Sequence, residues 1–460
     1  MAQTVFTVAL LAAGALAAVL SPGSGAKNLP AGFLSKRDLM TEASQQLHAN
    51  AEATVILCEL TGLSWTSRSE QPETVRRALE DALASLCARL PTGAQAAQWS
   101  EERFVILLPA SRDAMAALNL ARELCAGLAS GPAFAGLATA IGCHAGIALA
   151  PADGQSFGAL VNNAELALAE ARRQQQPGYG FYAPGMSAAS ERRTALQRAI
   201  REAVSGDALR LDFQPVYAMS GGELTGFEAL IRLHDPELGP IPPSEFIPLA
   251  EEAGLIVDIG AWAIEEACRV AAQWPPHLVA AVNLSPAQFH TGTLITGVRR
   301  ALQRHALPAY RLEVEITEGT LMTDSELVLS QLRRLRDMGV GVALDDFGTG
   351  YSSLSYLCKF PFSKLKIDRS FAAELDHSAS ARSVLRAIVK LGHGLGMTVT
   401  AEGIETKRQL SLLRGIGCDL AQGYLLGRPA PLSDVAAVIL RNFAQQLARK
   451  PRAVKSAAAA

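Results

Sequence analysis

The chain has 460 residues, about half of them apolar and a fifth charged, with a formal net charge of −2. That length exceeds one ordinary core and suits two domains of about 150–250 residues each. Such a composition excludes a disordered or multi-span membrane chain, and without a basic surplus duplex-scale nucleic-acid binding has no electrostatic support. A small phosphorylated ligand stays compatible, because one local site can meet its charge. The seven cysteines (Cys58, Cys87, Cys125, Cys143, Cys268, Cys358 and Cys418) are scattered and lack CxxC spacing. This argues against a disulfide framework or zinc site and suits a reducing cytosol.

Residues 1–26 carry no charge, and Val5–Leu20 is almost wholly apolar before the break at Ser21, Pro22 and Gly23. About 16 apolar residues fall short of the ~20 that span a bilayer, and no basic n-region marks a secretory signal. Lys27, Lys36 and Arg37 follow, so insertion would leave the rest of the chain in the cytoplasm, anchored to the inner membrane. A short anchor, a packed N-terminal helix and the remnant of a larger sensor region stay open.

Periodicity next predicts a helix over Leu34–His48, a buried strand over Ala53–Leu60, a helix over Glu73–Leu90 and a strand over Arg103–Leu108. A helix over Asp113–Ala129, a strand over Ala138–Leu149 and a helix over Ala159–Arg173 complete a compact α/β unit. Pro184–Ser190 is a plausible joint, and an amphipathic helix over Glu191–Val204 leads onward. Strands then recur before helical stretches at Arg210–Val216, Leu278–Leu284, Arg311–Thr317, Val340–Leu344, Lys364–Ile367, Thr398–Ala401 and Ala421–Leu425. Gly221 and Gly222 fold the first of these back as a hairpin. Repeated βα units at this spacing predict a (β/α)8, TIM-barrel-like domain with active groups at the C-terminal strand ends.

The acids of this second half fall at those ends. Glu228 follows the hairpin, Glu315 closes a strand, Asp345 and Asp346 follow Val340–Leu344, Asp368 follows Lys366-Ile367, and Glu402 follows Val399–Ala401. In a parallel barrel the six acids and Lys366 meet at one mouth. Unneutralised, they would oppose folding by mutual repulsion. Divalent cations resolve the conflict: oxygen-only donors, including the Asn283 amide, suit Mg²⁺ or Mn²⁺. Adjacent Asp345 and Asp346 can bridge two ions about 3.5–4 Å apart, an arrangement used for in-line phosphoryl chemistry.

The ordered set Phe213–Val216, Glu228-Ala229-Leu230-Ile231-Arg232, Pro243–Gly254, Asn283-Leu284-Ser285, Glu315–Glu318, Asp345–Tyr351, Lys366-Ile367-Asp368, Glu402–Glu405 and Gln422-Gly423-Tyr424 resembles the EAL phosphodiesterase family. The resemblance implies hydrolysis of cyclic-di-GMP to the linear dinucleotide pGpG, with two Mg²⁺ or Mn²⁺ ions as cofactors. Glu228, Asn283, Glu315 and Asp345 resemble the ligands of one ion. Asp345, Asp346, Asp368 and Glu402 would serve the second, directly or through water. Lys366 resembles the lysine that positions and helps deprotonate the attacking water. Gln214, Arg232 and Gln422 look like substrate contacts, and Glu318 like the glutamate that steadies the loop 346–353. One departure is visible: where the family continues Arg-Trp, Arg232 is followed by Leu233, which implies a packing difference.

Residues 27–186 resemble a GGDEF diguanylate cyclase domain, through Gly146-Ile147-Ala148 to Gly154, Asn163–Arg172 and Phe181-Tyr182. The hairpin expected to carry Gly-Gly-Asp-Glu-Phe reads Ser100-Glu101-Glu102-Arg103-Phe104 instead. Both glycines are gone, Arg103 stands in place of an acid, and Glu59 is the sole acid near the other metal-binding strand. A cyclase-inactive unit with a regulatory or dimerising role is therefore expected, GTP binding without turnover staying open and the chain a homodimer. The organisation expected is an apolar segment 1–26, a degenerate GGDEF-like domain 27–186, a linker 187–192, an EAL domain 193–447 and a basic, Ala-rich tail 448–460. A catalytically silent cyclic-di-GMP receptor or scaffold is the alternative.

Overall fold

Val55, Leu57, Val105 and Leu107 face one side of a sheet and Ile56, Cys58, Phe104 and Ile106 the other, the period-two alternation of strands covered on both faces. The computed structural model describes residues 33–47, 51–62, 84, 86–100, 102–129, 142–173, 178–206, 208–322, 325–348, 357, 359–375 and 378–449. The apolar segment 1–26, most of the helix expected over 73–90, residues 349–356 and the tail from 450 lie outside these. Among the described residues no helix is long and apolar enough to cross a membrane. The chain divides into units of residues 1–193 and 194–460, and the stretch 187–192, expected as a linker, is helical within Met186–Ser205.

In the first unit β1 (Phe33–Leu34), β2 (Ala53–Thr61), β3 (Gln95–Gln98), β4 (Arg103–Pro109), β5 (Gly142–Ala150) and β6 (Tyr179–Phe181) form one sheet. Its order is β1-β3-β4-β2-β5-β6. Helix Ala114–Ala129 covers one face through Ala117, Ala121 and Leu124. Helices Lys36–Gln46 and Phe157–Arg173 cover the other through Leu39, Ala43, Leu160 and Ala164.

The second unit closes a barrel. Its members are β7 (Leu209–Ala218), β8 (Leu224–Asp235), β10 (Val279–Asn283), β11 (Leu312–Thr317), β12 (Gly341–Phe347), β13 (Lys364–Ile367), β14 (Thr398–Ala401) and β15 (Leu420–Ala421). The run from β8 to β15 is parallel; β7 is antiparallel to both neighbours, β8 and β15, because its hairpin through Gly221 and Gly222 reverses the chain. Two short edge strands, β9 (Gly239–Ile241) and β16 (Ala430–Pro431), pair on β8 and β7. The final strand expected over Ala421–Leu425 stops at Ala421. A Cβ on Gly423 would stand 2.2 Å from the Ile404 amide nitrogen, so the chain turns there against the loop after β14.

Aliphatic side chains such as Val282, Val314, Leu344, Leu365 and Val399 pack between the strands and the surrounding helices. Each such buried side chain contributes about 1.5–3 kcal/mol of apolar burial. Leu233, where the family carries Trp, is buried with Leu209, Ile241 and Phe246. Capping boxes set the turns that leave two strands. After β10, the Gln288 side chain accepts from Ser285 N at 3.0 Å while Ser285 Oγ accepts from Ala287 N. After β14, Thr406 Oγ1 accepts from Gln409 N at 3.1 Å and Gln409 Oε1 accepts from Thr406 N at 2.9 Å. Each helix start is held just beyond a strand end that carries a polar site residue.

Candidate active site at the barrel mouth

Parallel register brings the strand-end residues to one level: Asn283 pairs with Glu315, Thr317 with Asp345, and Ile367 with Ala401 just before Glu402. Lys366 Nζ sits among the acids they carry, 2.7 Å from Glu315 Oε2, 2.7 Å from Glu402 Oε1, 3.1 Å from Asp345 Oδ1 and 3.5 Å from Glu228 Oε2. Lys366 is 2% exposed, so these charges meet in low dielectric.

Four carboxyls and one ammonium cannot all stay charged there. Burial disfavours the charge on Lys366, but Glu228, Glu315, Glu402 and Asp345 hold it well above the ordinary lysine value. Burial likewise raises the Glu315 carboxyl well above its usual range, with Lys366 opposing and Glu228 and Asp345 adding to the rise. Glu402 is pushed up to about 8, by burial first and then by Asp345 and Glu228. Glu228 differs: burial is outweighed by Lys366, Gln422 and Asn283, and its carboxyl is lowered. Without metal the cluster therefore favours the charged forms of Lys366 and Glu228 and disfavours those of Glu315 and Glu402.

Glu228, Glu315 and Asp345 place one carboxylate oxygen each within 4.8 Å of one another, and so do Asp345, Asp346 and Glu402. Asp345 belongs to both triads. A regular strand would turn adjacent side chains to opposite faces. Here the register of β12 against β13 shifts between Leu344 and Phe347, and Asp346 takes a left-handed backbone with φ 55°. The bulge brings both aspartates to the mouth. Burial, Asp345 and Asp368 raise the Asp346 carboxyl.

Asn283 Nδ2 donates to Glu228 Oε1 at 2.8 Å, and a half-turn of that amide would offer its oxygen to a cation instead. Two oxygen triads sharing one carboxylate, with surplus negative charge relieved by protons and a lysine, fit hard divalent cations.

The other expected site residues are placed as follows. Asp368 stands outside both triads and caps the helix Arg369–Glu374, accepting from Ser370 N at 3.0 Å. Burial raises its carboxyl, and hydrogen bonds from Ser370 and Arg369 more than reverse this, leaving it lowered. Gln422 Nε2 donates to Glu228 Oε2 at 2.6 Å and to Gln214 Oε1 at 3.1 Å, linking both glutamines to the acid cluster. Arg232 lies four residues beyond Glu228 on β8, where Asp212 accepts from its Nε at 2.9 Å. Glu318 Oε1 accepts from Gly348 N at 2.8 Å, tying the start of the loop after β12.

Two features escaped the sequence reading. Asp212 as the partner of Arg232 is one. The second is a charge pair deeper in β11 and β13, Lys364 Nζ to Glu313 Oε1 at 2.6 Å. The alternating strings Glu313-Val314-Glu315 and Lys364-Leu365-Lys366 carried that signal, since residues two apart share a strand face.

In the first unit, Ser100, Glu102 and Arg103 stand where β3 turns back into β4. Arg103 Nε meets Glu59 Oε1 at 2.9 Å across the β2–β4 ladder, and Arg172 Nη1 meets Glu59 Oε2 at 3.0 Å. Arginine charge thus neutralises Glu59.

A closed (β/α)8-type barrel with shared carboxylate triads at its mouth, behind a separate α/β domain, defines the class. Comparison with known families agrees: residues 197–429 match the EAL domain and residues 34–177 the diguanylate cyclase, GGDEF domain. The chain belongs to the EAL-domain family, with a GGDEF domain ahead in tandem. It is 40% identical over 342 residues to the bifunctional diguanylate cyclase/cyclic di-GMP phosphodiesterase MucR of Pseudomonas aeruginosa, covering 74% of this chain and 50% of that protein. It is 34% identical over 341 residues to the cyclic di-GMP phosphodiesterase NbdA of the same organism, covering 73% and 43%. An uncharacterized signaling protein of Caulobacter vibrioides is 38% identical over 410 residues, 87% of this chain and 50% of that protein. The chain therefore spans about half or less of the length of these relatives. The solved PaMucR phosphodiesterase, c-di-GMP complex, is 44% identical with a TM-score of 0.51, covering 52% of this chain and 99% of that one.

Proposed function

We propose that the barrel unit is a metal-dependent phosphodiesterase that hydrolyses cyclic-di-GMP to linear pGpG. The observation that carries this reading is the pair of carboxylate triads sharing Asp345 around a buried lysine. The 44% identity to a phosphodiesterase solved with c-di-GMP supports it. Glu228, Asn283, Glu315 and Asp345 would hold one Mg²⁺ or Mn²⁺, and Asp345, Asp346 and Glu402 the second, with Asp368 reaching it through water. The ions, when bound, supply positive charge for the phosphodiester oxygens and acidify water.

The chain's own side chains do the rest. Gln422 and Gln214 line the floor beside Glu228 and offer amide groups to the dinucleotide. Arg232, beyond the mouth on β8, supplies a fork for a phosphate oxygen once it parts from Asp212. Lys366 Nζ would position the attacking water and, once it has given its own ammonium proton to solvent, accept the proton of that water. One P–O bond forms, one P–O bond of the cyclic ester breaks, and the released oxygen takes a proton. Glu318 holds the loop after β12 in place through Gly348.

The first unit acts as a regulatory or dimerising domain without cyclase activity, in a homodimer. Arg103 and Arg172 on Glu59 support that role. GTP is its candidate ligand, without turnover. Free, mostly buried thiols suit the reducing cytoplasm as its compartment, with Val5–Leu20 as a candidate anchor.

The test is incubation of the purified chain with cyclic-di-GMP and Mg²⁺ or Mn²⁺. Linear pGpG should appear and should vanish in Glu228→Ala; tight binding without product would establish a silent receptor instead.

A further inference from the structure

Two arginines face each other across the outer end of the β7–β8 ladder, Arg210 opposite Arg232. Odd-numbered residues of these strands, among them Leu211, Phe213, Phe227 and Leu233, are buried in the hydrophobic core. The even-numbered Gln214 and Glu228 belong to the mouth, so Arg210, Asp212, Leu230 and Arg232 line the same face beyond them. Arg232 stands four residues past Glu228, a rise of about 13 Å along β8.

Like charges placed directly opposite each other destabilise a ladder. Asp212 offsets part of that repulsion: its Oδ2 is 2.9 Å from Arg232 Nε and its Oδ1 3.9 Å from Arg210 Nε. One carboxylate cannot balance two guanidinium groups, and the cluster keeps one positive charge. Arg232 is part-buried and also donates from Nη1 to Ile231 O at 2.9 Å. Arg210 is 57% exposed, and its guanidinium has no hydrogen bond among the described residues. Asp212 Oδ1 is buried and likewise lacks a hydrogen bond. The cluster is short of one anion.

That anion can be named from the hydrolysis proposed above, on which this inference rests. A cyclic dinucleotide carries two phosphodiesters on one ring. While one meets the acid cluster and its cations, the other needs countercharge of its own. We propose that Arg210, with Arg232 opposite, grips the phosphodiester that is not cleaved, which makes Arg210 a substrate-binding residue of the barrel. Each guanidinium presents a planar fork of N–H groups to phosphate oxygens. With that phosphate bound, two guanidinium groups, Asp212 and one phosphodiester sum to zero charge. A substrate with a single phosphodiester leaves the pair unused, so the pair favours cyclic dinucleotides over simple diesters.

Calorimetry of cyclic-di-GMP binding to the full chain in Ca²⁺ reads the contact apart from turnover. Arg210→Gln should raise Kd about tenfold or more, the loss of a charge-assisted contact, with the thermal melt unchanged. Arg210→Lys should recover part of the affinity, since it keeps the charge and loses the fork. In Mn²⁺, the preference in kcat/KM for cyclic-di-GMP over bis(p-nitrophenyl) phosphate, which has one phosphodiester, should fall about tenfold in Arg210→Gln. Equal Kd in wild type and Arg210→Gln would overturn the inference. So would an equal proportional loss with both substrates, which would make Arg210 a general attractor of anions. Binding that depends on Arg210 without any turnover would overturn the proposed hydrolysis and leave this inference standing.

Discussion

The ammonium of Lys366 lies 2.7 Å from Glu315 Oε2, and each side chain is only 2% exposed. Removing one partner of such a pair leaves buried charge uncompensated, at about 3–5 kcal/mol. Neighbouring carboxyls can take up protons, so the penalty should depend on pH. Lys366→Met is expected to cost about 3 kcal/mol at pH 8 without metal and less at pH 6. In a unit of this size that is a fall in Tm of roughly 10 °C. Melts in EDTA and in Mn²⁺ check it: Mn²⁺ should restore most of the loss while turnover stays abolished.

Glu402 sets a second expectation, because burial and the neighbouring Asp345 and Glu228 push its carboxyl up to about 8. Its folded value lies above its unfolded one, so the folded state keeps a proton that the unfolded chain releases. Its contribution to stability is present at low pH and falls as pH rises from about 4.5 toward 8, by up to about 1.4 kcal/mol per unit. A divalent ion needs this group ionised. Metal binding should release protons, and affinity should rise with pH, by up to about tenfold per unit for each proton displaced, levelling above pH 8. Titration calorimetry in buffers of different ionisation heat measures both; affinity that is flat between pH 6 and 8 would contradict the assignment.

Much of this site was legible because acids followed apolar runs at strand ends, and parallel pairing then left them little freedom about where to go. Lys366, Glu315 and Glu402 converge for that reason. What could not be read was local departure from regularity. Strand alternation alone would have sent Asp345 and Asp346 to opposite faces; the bulge and the left-handed Asp346 overrule it. The antiparallel β7 that closes the barrel depends on a pairing between residues some 200 positions apart, Ala421 with Tyr217, and no local pattern encodes it. The strand expected through Leu425 ended early because Gly423 packs against the Ile404 backbone. Arg232 drew attention as a phosphate ligand, while its partner Asp212 had no motif to mark it.

Just past β12, Gly348 N donates to Glu318 Oε1 at 2.8 Å. Gly348 has φ 101°, and a Cβ there would lie 2.5 Å from the Phe371 ring. Glu318→Ala should therefore loosen the loop without disturbing the barrel. A charge-assisted bond of this kind contributes about 1.5–3 kcal/mol, here to the local order of the loop rather than to global unfolding of the barrel. Turnover of cyclic-di-GMP should fall by about 10- to 100-fold with the melting temperature nearly unchanged. Gly348→Ala should reduce turnover as well and lower stability. Steady-state rates beside thermal melts separate the two effects, and full activity in Glu318→Ala would remove the loop from the mechanism.

Asp346 combines a strained backbone with a carboxyl raised by burial, Asp345 and Asp368. A non-glycine residue in the left-handed region costs about 1–2 kcal/mol, and repulsion between the carboxylates adds to it. That cost is sustained only where the side chain has a use, here the second triad with Asp345 and Glu402. Asp346→Gly should remove strain and charge together. The metal-free protein should gain about 1 kcal/mol, or about 2–4 °C in Tm, while turnover falls steeply. Stabilisation by saturating Mn²⁺ should shrink, because the triad of Asp345, Asp346 and Glu402 loses an oxygen donor. Loss of stability in EDTA would mean instead that Asp346 supports the bulge, and the triad would then be a by-product of the turn.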